Sequence, residues 1–455
     1  FRAKRPANPR PGAHEYMEQV KVNPCRRVKG TLSVPGDKSL SHRAAMLGAL
    51  GGGASRLSGY LMAEDCLNTL KALQGLGAEV AIEGDLVTVT GGRWRAPSGA
   101  LDMGNSGTGM RLLAGLLAGR PWTTELTGDE SLRSRPMGRI KAPLEQMGAR
   151  LELTGPKGCA PVKVTGGRLR AIEYAMPVAS AQVKSCVLLA ALFAEGETSV
   201  IEKAPTRDHT EKMFLQAGIP VRVEGNRVSL RGYGAEGPPI GPLNLRVPGD
   251  FSSAAFWLAA AGARAGGRVE IEGVGLNPRR TAFLDVLRRM GAEVRVTPDS
   301  GAGAFEPAGR IEVEGAVLRG IEVGGDTIAN IIDELPLVAV LGAMAAGTTV
   351  ISGARELRVK ESDRIACMAA NLRLMGVELD EKDDGLSIRG GRGIRGGARV
   401  ESYGDHRIAM SAAVLALFAG EPVTIRNTAC VATSYPQFWN HLRSIGAEVS
   451  IGHCD

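Results

Sequence analysis

The sequence predicts an α/β protein of two globules, each made of three copies of one unit. Three observations support this prediction. A helix–glycine–strand pattern recurs six times, six further helices are apolar on every side, and the tetrapeptide VPGD occurs at residues 34–37 and 247–250. The helix–glycine–strand pattern returns every 70 to 85 residues, so it marks a true internal repeat.

The helix–glycine–strand pattern is an amphipathic stretch that ends at a glycine and continues into alternating residues. Its copies are LGAEV, MGARL, AGIPV, MGAEV, MGVEL and IGAEV, with the glycines at Gly77, Gly148, Gly218, Gly291, Gly376 and Gly446. Glycine readily takes the left-handed backbone that ends a helix. The alternation in residues 221–232 (VRVEGNRVSLRG) is typical of two short strands. Each unit is therefore expected to hold an amphipathic helix followed by two strands.

The second pattern is a short helix that is apolar all round and leads into a β-branched strand. Its copies are AAMLGALGGG, MRLLAGLLAG, CVLLAALFAEG, AAFWLAAAGA, VAVLGAMAAG and MSAAVLALFAG. A helix without a polar face belongs in an interior. We therefore expect three units to form one globule, with buried helices inside and sheets outside.

The two VPGD segments predict where the chain passes between the globules. Residues 26–37 (RRVKGTLSVPGD) parallel residues 242–250 (PLNLRVPGD), and the last unit stops without its own copy of this strand. The N-terminus is therefore expected to complete the C-terminal globule, which would comprise residues 22–35 and 249–455. Residues 36–248 would form the N-terminal globule, and residues 1–21 a disordered tail or tag.

Composition excludes several classes of protein. The chain has 455 residues, 44% hydrophobic and 23% charged, which is typical of a globular protein, and its apolar runs are too short to span a bilayer. A net charge of +7 with 4% aromatic residues favours anionic metabolites over nucleic acids. The seven cysteines form no CxxC pair, which argues against a zinc site or disulfide framework and for a reducing compartment. We expect a cytoplasmic protein that binds neither membranes nor nucleic acids.

Cations accumulate at the predicted helix starts. They are Lys38, Arg43, Arg135, Arg207, Lys360, Arg364 and Arg407. The positive end of a helix dipole disfavours cations, so we expect bound anions to offset this repulsion. Seven cations indicate that more than one anionic group binds. Asp333, Glu361 and His406 would supply acid–base groups nearby. For any single Ser, Thr, Asp or Asn at these starts, a simple helix cap is the alternative interpretation.

Eight motifs in order along the chain resemble the 5-enolpyruvylshikimate-3-phosphate (EPSP) synthase family. They are PGDKSLSHR, GNSGTGMRLL, RPMGRI, SAQVKSCVLLAAL, TRDHTEKM, IDELP, RVKESDR and YGDHRIAMS. The resemblance covers about residues 22 to 450, and SAQVKS and GMRLL are similar to the glyphosate-tolerant bacterial branch. It implies a two-domain inside-out α/β barrel of six repeats. It also implies transfer of the enolpyruvyl group of phosphoenolpyruvate (PEP) to the 5-hydroxyl of shikimate 3-phosphate, with no metal and no organic cofactor.

The resemblance also implies roles for individual residues. Those matching shikimate-3-phosphate ligands are Lys38, Ser39, Arg43, Ser180, Ala181, Gln182, Arg207, Asp333 and Lys360. Those matching PEP ligands are Lys38, Asn105, Gly107, Arg135, Gln182, Arg364 and Arg407. The catalytic set would be Asp333 as base, Glu361 and Lys38 as the groups that handle the PEP methylene proton, and His406 beside them. Which of Lys38 and Glu361 is the main proton donor stays open.

Four positions depart from the pattern common in this family. Thr433 stands where many relatives have Lys, Glu356 where many have Asn, and Leu112 where Pro is common. Gly107 stands where some tolerant relatives have Ala, and we expect it to leave room for glyphosate, a competitor of PEP. A monomer is expected.

Two other classes of protein share parts of this pattern. The sister enolpyruvyl transferase that acts on UDP-N-acetylglucosamine typically has a reactive Cys or Asp in a loop of its N-terminal half, and no Cys lies between Cys66 and Cys159. A non-catalytic anion- or RNA-binding scaffold of cyclase-like repeats would not need Asp333 and Glu361 beside arginines.

Overall fold

The structure is a computed structural model, and it describes residues 18–300 and 305–453. The strands in chain order are β1 Glu18–Val22, β2 Lys29–Ser33, β3 Gly53–Ser58, β4 Glu79–Glu83, β5 Leu86–Gly91, β6 Leu101–Asp102, β7 Thr123–Thr127, β8 Arg150–Leu153, β9 Val162–Thr165, β10 Leu169–Arg170, β11 Glu173–Ala175, β12 Ala194–Glu195, β13 Glu197–Ile201, β14 Arg222–Glu224, β15 Arg227–Arg231, β16 Asn244–Arg246, β17 Arg268–Gly275, β18 Glu293–Pro298, β19 Ala308–Glu314, β20 Glu322–Val323, β21 Gly347–Ile351, β22 Glu378–Lys382, β23 Gly385–Gly390, β24 Arg399–Glu401, β25 Val423–Arg426 and β26 Val449–His453.

Helices alternate with these strands, so the fold is mixed α/β. The α-helices are α1 Lys38–Leu50, α2 Glu64–Gly75, α3 Gly107–Ala118, α4 Glu130–Ser134, α5 Gly138–Met147, α6 Ala181–Ala191, α7 His209–Gln216, α8 Phe251–Gly262, α9 Phe283–Met290, α10 Thr327–Ile331, α11 Leu335–Met344, α12 Arg364–Leu374, α13 His406–Ala416 and α14 Phe438–Ser444. Short 3-10 helices occupy Pro156–Gly158, Arg355–Val359 and Thr428–Thr433.

Six four-stranded sheets share one arrangement within residues 18–300 and 305–453. In each sheet the first edge strand runs parallel to its neighbour, and the other two pairings are antiparallel. The strand orders are β16-β3-β5-β4, β6-β7-β9-β8, β11-β13-β15-β14, β2-β17-β19-β18, β20-β21-β23-β22 and β24-β25-β1-β26. A further parallel pair joins β10 to β12.

The N-terminal strands complete sheets formed by the C-terminal half. Strand β1 lies between β25 and β26, with Val20 opposite Ile425 on one side and Ile451 on the other. Strand β2 is the parallel edge beside β17, as β16 is beside β3. Residues 18–21, which the sequence prediction placed in the tail, are therefore part of a strand. The rest of the predicted tail, residues 1–17, lies outside the described residues.

The buried side chains form two hydrophobic cores. The N-terminal core collects residues between 40 and 247, and the C-terminal core collects residues 20–34 and residues between 251 and 447. Helices α8, α11 and α13 pack on one another in the C-terminal core, while α3 packs against α1 and α6 in the N-terminal core. All twelve residues of α8 are buried, as an all-apolar helix requires.

Glycine ends the amphipathic helices as predicted. The six repeat glycines (Gly77, Gly148, Gly218, Gly291, Gly376 and Gly446) all have positive φ, between 76° and 116°. Residues with a β-carbon rarely take this conformation, so the sequence signal had a direct physical cause.

The two VPGD segments lie side by side between the cores. Gly36 pairs antiparallel with Gly249, Asp37 N–H donates to the Pro248 carbonyl at 2.8 Å, and Asp250 N–H donates to the Pro35 carbonyl at 2.8 Å. A β-carbon on Gly36 would lie 1.8 Å from the Gly59 carbonyl oxygen, so only glycine fits there. The paired crossings bring the starts of α1 and α8 next to each other.

Among residues 18–300 and 305–453 no helix has the length and apolar character that a membrane span needs. The cysteines of this part of the chain are free thiols.

Candidate active site

Acidic caps begin three of the helices that carry the predicted cations. Asp37, Asp363 and Asp405 accept the N–H groups of Leu40, Ala366 and Arg407 at 2.9, 3.0 and 2.9 Å. The cap interpretation therefore holds for these aspartates. The cations Lys38, Arg364 and Arg407 follow them within the first turn, where the dipole disfavours positive charge.

Asp333 lies among three arginines, just before α11. Its Oδ2 atom accepts from Arg207 Nη2 at 2.6 Å, and its Oδ1 atom lies 3.4 Å from Arg364 Nη1 and 3.8 Å from Arg407 Nε. Burial by itself would raise the pKa of Asp333, but Arg407 and Arg207 outweigh burial and hold that pKa well below its usual range. The carboxylate is therefore ionised at neutral pH.

Glu361 is a second ionised carboxylate in the same cluster. Arg364 Nη2 donates to it at 2.7 Å and Arg135 Nη1 lies 3.4 Å away. These two arginines outweigh burial, so the pKa of Glu361 also lies well below its usual range. Arg364 further donates from Nε to Asp405 at 2.8 Å, so one guanidinium with a side chain 1% exposed contacts the carboxylates of Asp333, Glu361 and Asp405.

Lys38 begins α1 and bonds to Asp65 on α2, with Nζ 3.0 Å from Oδ2. Burial would lower the pKa of Lys38, but Asp65 and Glu361 outweigh it, so the pKa lies above its ordinary value. Burial and the positive charges of Lys38 and Arg407 hold the pKa of the nearby His406 well below its usual range. Its Nε2 atom has no hydrogen-bond partner among the described residues. At neutral pH the lysine is protonated and the imidazole is neutral.

The loop before α3 carries the next predicted group. Arg135 donates from Nη2 to the Asn105 side-chain oxygen and from Nη1 to its carbonyl at 3.2 Å, while Asn105 Nδ2 donates to Asp129 at 2.8 Å. A β-carbon on Gly107 would lie 2.9 Å from Arg111 Nη1 and 3.4 Å from Arg135 Nη1. Glycine here lets two guanidinium groups approach the helix start.

Four residues at the starts of α1 and α6 that are predicted to bind the substrate phosphate or ring are half-buried. Ser39, Ser180, Ala181 and Gln182 are all intermediate in burial, and Ser180 caps α6 by accepting Val183 N–H at 3.4 Å. Lys360 is also half-buried, and burial, only partly offset by Asp333, lowers its pKa.

Arg43 lies deeper than its predicted neighbours. It donates to Thr210 Oγ1 at 2.8 Å, to Ser185 Oγ at 2.7 Å and to the Ser39 carbonyl at 2.8 Å. Burial lowers its pKa to about 10, so it stays charged at neutral pH. Arg43 thus supports the backbone at Ser39.

The cluster draws its parts from both cores. Arg135 and Arg207 come from the N-terminal half and meet Glu361 and Asp333 from the C-terminal half. Arg139 forms a two-pronged pair with Glu356, at 2.7 and 2.8 Å, across the same boundary. Cations thus surround two ionised carboxylates, an arrangement that can bind two anionic molecules and take up or give protons between them.

Comparison with known proteins decides the family. The sequence model described as EPSP synthase (3-phosphoshikimate 1-carboxyvinyltransferase) matches residues 22–442. The chain belongs to the EPSP synthase family. Similar family members include the 3-phosphoshikimate 1-carboxyvinyltransferases of Akkermansia muciniphila, 50% identical over 90% of this chain and 96% of that protein, and of Methylococcus capsulatus, 47% identical over 96% and 100%.

Solved structures agree with this assignment to the EPSP synthase family. The EPSP synthase from Acinetobacter baumannii is 43% identical, superposes with a TM-score of 0.83, and the match covers 96% of this chain and all of that one. The enolpyruvyl transferase NikO from Streptomyces tendae, at 19% identity and a TM-score of 0.76 over 97% of this chain, shares the fold.

Sequence reasoning missed two residues that contact predicted site residues. Arg111 donates to Gln182 Oε1 at 2.8 Å, and Gln182 Nε2 donates to Thr108 at 2.8 Å, so Arg111 positions a predicted ligand. Asp65, which bonds Lys38, was also missed. Arg111 belongs to the motif GNSGTGMRLL and could have been found there, whereas the sequence around Asp65 gives no comparable signal.

Glu356 and Thr433, two of the residues that depart from the pattern common in the family, form hydrogen bonds with other residues of the chain. Glu356 pairs with Arg139, and Thr433 donates its hydroxyl to the Cys430 carbonyl at 2.7 Å. Leu112, the third departure, is fully buried in the N-terminal core.

Because His42 is buried one turn into α1, we expect the stability of the fold to depend on pH. Its Nδ1 lies 2.7 Å from Thr69 Oγ1 and its Nε2 lies 3.2 Å from Ser106 Oγ. Burial, with Lys38 and Arg43, lowers the pKa of His42 to about 3. The unfolded chain therefore takes up this proton below about pH 6.5 while the folded chain does not, and stability falls as pH drops through that window.

Replacing His42→Gln should remove this contribution. The loss in unfolding free energy between pH 7 and pH 5 should be about 2 kcal/mol smaller in the variant than in the parent chain. Urea melts at pH 8, 7, 6 and 5 would measure it, and pH 8 and 7 serve as the internal control because the histidine is mostly neutral there in both states. Parallel pH profiles of parent and variant would contradict the assignment.

Proposed function

We infer that this chain transfers the enolpyruvyl group of phosphoenolpyruvate to the 5-hydroxyl of shikimate 3-phosphate and releases phosphate. The observation that supports it most is the pair of ionised carboxylates, Asp333 and Glu361, held within one set of arginines in a member of the EPSP synthase family. Each substrate carries several negative charges, so the cations offset their mutual repulsion.

In this proposal shikimate 3-phosphate binds where α1, α6 and α7 begin. Its ligands are Lys38, Ser39, Arg43, Ser180, Ala181, Gln182, Arg207, Asp333 and Lys360. Free N–H groups at the start of α6 favour an anion there. Arg207 would exchange its bond to Asp333 for one to the substrate phosphate.

PEP binds on the other side of the cluster. Its ligands are Lys38, Asn105, Gly107, Arg135, Gln182, Arg364 and Arg407. The planar donor groups of the three arginines match the oxygens of a phosphate and a carboxylate.

The reaction requires a base on one side and a proton source on the other. Asp333 removes the 5-hydroxyl proton as that oxygen attacks C2 of PEP, and C3 gains a proton to become a methyl group. The tetrahedral intermediate then loses a methyl proton as the bond to phosphate breaks, which forms the enol ether. Lys38 is protonated at neutral pH and suits the delivery of a proton to C3. Glu361 is ionised at neutral pH and suits the removal of the methyl proton, and His406 lies beside both.

We also propose that the six similar sheets are six copies of one repeat, three per domain, in an inside-out α/β barrel. Residues 22–35 with 249–455 would form one domain and residues 36–248 the other, in a monomer. The shared strand arrangement and the two separate cores support this division.

Glyphosate is proposed to compete for the PEP site, and Gly107 would leave room for it, whereas some relatives of the glyphosate-tolerant branch that the chain resembles have Ala at this position. The variant Gly107→Ala should raise the glyphosate inhibition constant about tenfold and the KM for PEP less. The added β-carbon would lie 2.9 Å from Arg111 Nη1 and displace it. Gly138→Ala is the matched control, because a β-carbon there would have no atom within 4 Å apart from its chain neighbours and the backbone of its own helix. Equal inhibition constants in Gly107→Ala and the parent chain would refute the proposal that Gly107 leaves room for glyphosate.

Phosphate release tests the function directly. The purified chain should release phosphate from PEP only when shikimate 3-phosphate is present, and not when UDP-N-acetylglucosamine replaces it. Absence of release with shikimate 3-phosphate would refute the proposal.

A further inference from the structure

The turn that carries Arg207 is held from the opposite core on both of its sides. On one side, Arg279 Nη1 donates to the Thr206 carbonyl at 2.7 Å. On the other, Asn277 Nδ2 donates to Asp208 Oδ1 at 2.7 Å. Arg279 and Asn277 belong to the segment between β17 and α9, whose core is the C-terminal one. The peptide group before Arg207 and the side chain after it are therefore both held from the other half of the molecule.

A second segment, before β19, reinforces this contact. Glu306 bonds to His209 Nδ1 at 2.6 Å and accepts from Asn277 Nδ2 at 2.9 Å. Both Glu306 and His209 are buried, and Phe305 packs against the N-terminal core. Asn277 Oδ1 also accepts Arg279 N–H at 2.9 Å, which fixes the asparagine relative to the arginine.

The segment between β17 and α9 also contacts the two VPGD segments. Arg280, next to Arg279, lies 3.2 Å from Asp250 and 3.7 Å from Asp37, the caps of α8 and α1. This contact is thus continuous with the place where the chain passes between the cores.

A metal site is a weaker explanation of the same residues. Asp208, His209 and Glu306 lie close enough to hold a cation. Asn277 already donates to both carboxylates, and Arg279 and Lys212, at 3.7 Å from Asp208 and Glu306, supply positive charge. Both carboxylates and His209 Nδ1 are therefore already engaged in contacts between the two cores.

We propose that Arg279 and Asn277 are positioning residues for shikimate 3-phosphate, because they hold the Thr206 carbonyl before Arg207 and the Asp208 side chain after it, and so aim the Arg207 guanidinium at the substrate phosphate. This inference rests on the proposed role of Arg207. It assigns a task in substrate binding to side chains that lie outside the arginine cluster and touch no substrate.

Calorimetric titration of shikimate 3-phosphate into the full chain without PEP tests it. Arg279→Met should raise the dissociation constant about tenfold, and Arg279→Lys, which keeps a donor for the Thr206 carbonyl, should recover part of the loss. Asn277→Ser, which shortens the donor to Asp208, should weaken binding in the same direction. Arg288→Met, on the exposed face of α9, is the control and should stay within twofold of the parent chain.

The double variant Arg207→Met with Arg279→Met separates positioning from general damage. If Arg279 acts through Arg207, the double variant binds no more weakly than Arg207→Met alone. Losses that multiply would overturn the inference, as would unchanged binding in a folded Arg279→Met or, if that variant does not fold, in Asn277→Ser. Parent-like binding by Arg207→Met would instead refute the proposed role of Arg207 and with it this inference.

Discussion

Replacing Asp333→Asn should lower kcat about a thousandfold or more. The amide cannot take the hydroxyl proton, and it removes the negative charge that Arg207, Arg364 and Arg407 share. General-base catalysis typically contributes about 10² to 10⁴ in rate, and the loss of charge balance adds to it. Phosphate release at saturating concentrations of both substrates measures the effect.

Asp326→Asn is the matched control for this variant. Asp326 is exposed just before α10, and its side chain makes no cap hydrogen bond, so turnover should stay at the parent level. An Asp333→Asn enzyme that kept more than a tenth of the parent kcat would rule out Asp333 as the base.

Replacing Arg364→Met should damage both stability and activity. The side chain is 1% exposed and contacts three carboxylates, so its removal leaves buried negative charge without its partner. Breaking a buried ion pair in this way costs about 3 to 5 kcal/mol of unfolding free energy. Because Arg364 is a proposed PEP ligand, its loss should also reduce kcat/KM for PEP by about a thousandfold.

Urea unfolding and phosphate-release kinetics measure the two effects of Arg364→Met separately. Arg373→Met, on the exposed side of the same helix, keeps the helix length and removes only a pair to Glu381 at 3.5 Å, so it should change neither quantity much. A parent-like unfolding midpoint for Arg364→Met would contradict the account of the buried cluster.

The sequence was most informative where a local conformation required one residue type. Gly148 and Gly291 end helices with φ of 113° and 116°, and α8 has no polar face, so these features could be predicted without tertiary information. The crossings proposed at the two VPGD segments rest on a tetrapeptide that the sequence repeats.

Strand β1 was missed for a physical reason. EQVKV is a short, partly charged strand whose neighbours, β25 and β26, lie about 400 residues further along the chain. Its position between them depends on pairing that no local pattern encodes.

The partners of the site residues were also beyond local inference. The cations at helix starts indicated anion binding from the sequence alone. The pairs that these and neighbouring residues form join segments far apart in sequence: Glu361 with Arg135, Glu356 with Arg139, and Thr206 with Arg279. Such pairs are fixed by how the two cores meet, and only the structure reveals them.

The place of β1 has a consequence for the order in which the protein can form during translation. In the sheet β24-β25-β1-β26 the central strand β1 is synthesised first, and it has neither neighbour until the ribosome has made β25 and β26. Synthesis runs at about 5 to 20 residues per second, so β1 waits about 20 to 90 s for β26. Residues 40–247, which form the N-terminal core, are complete well before then. Nascent chains should therefore carry a folded N-terminal half and a strand β1 that has no partner yet.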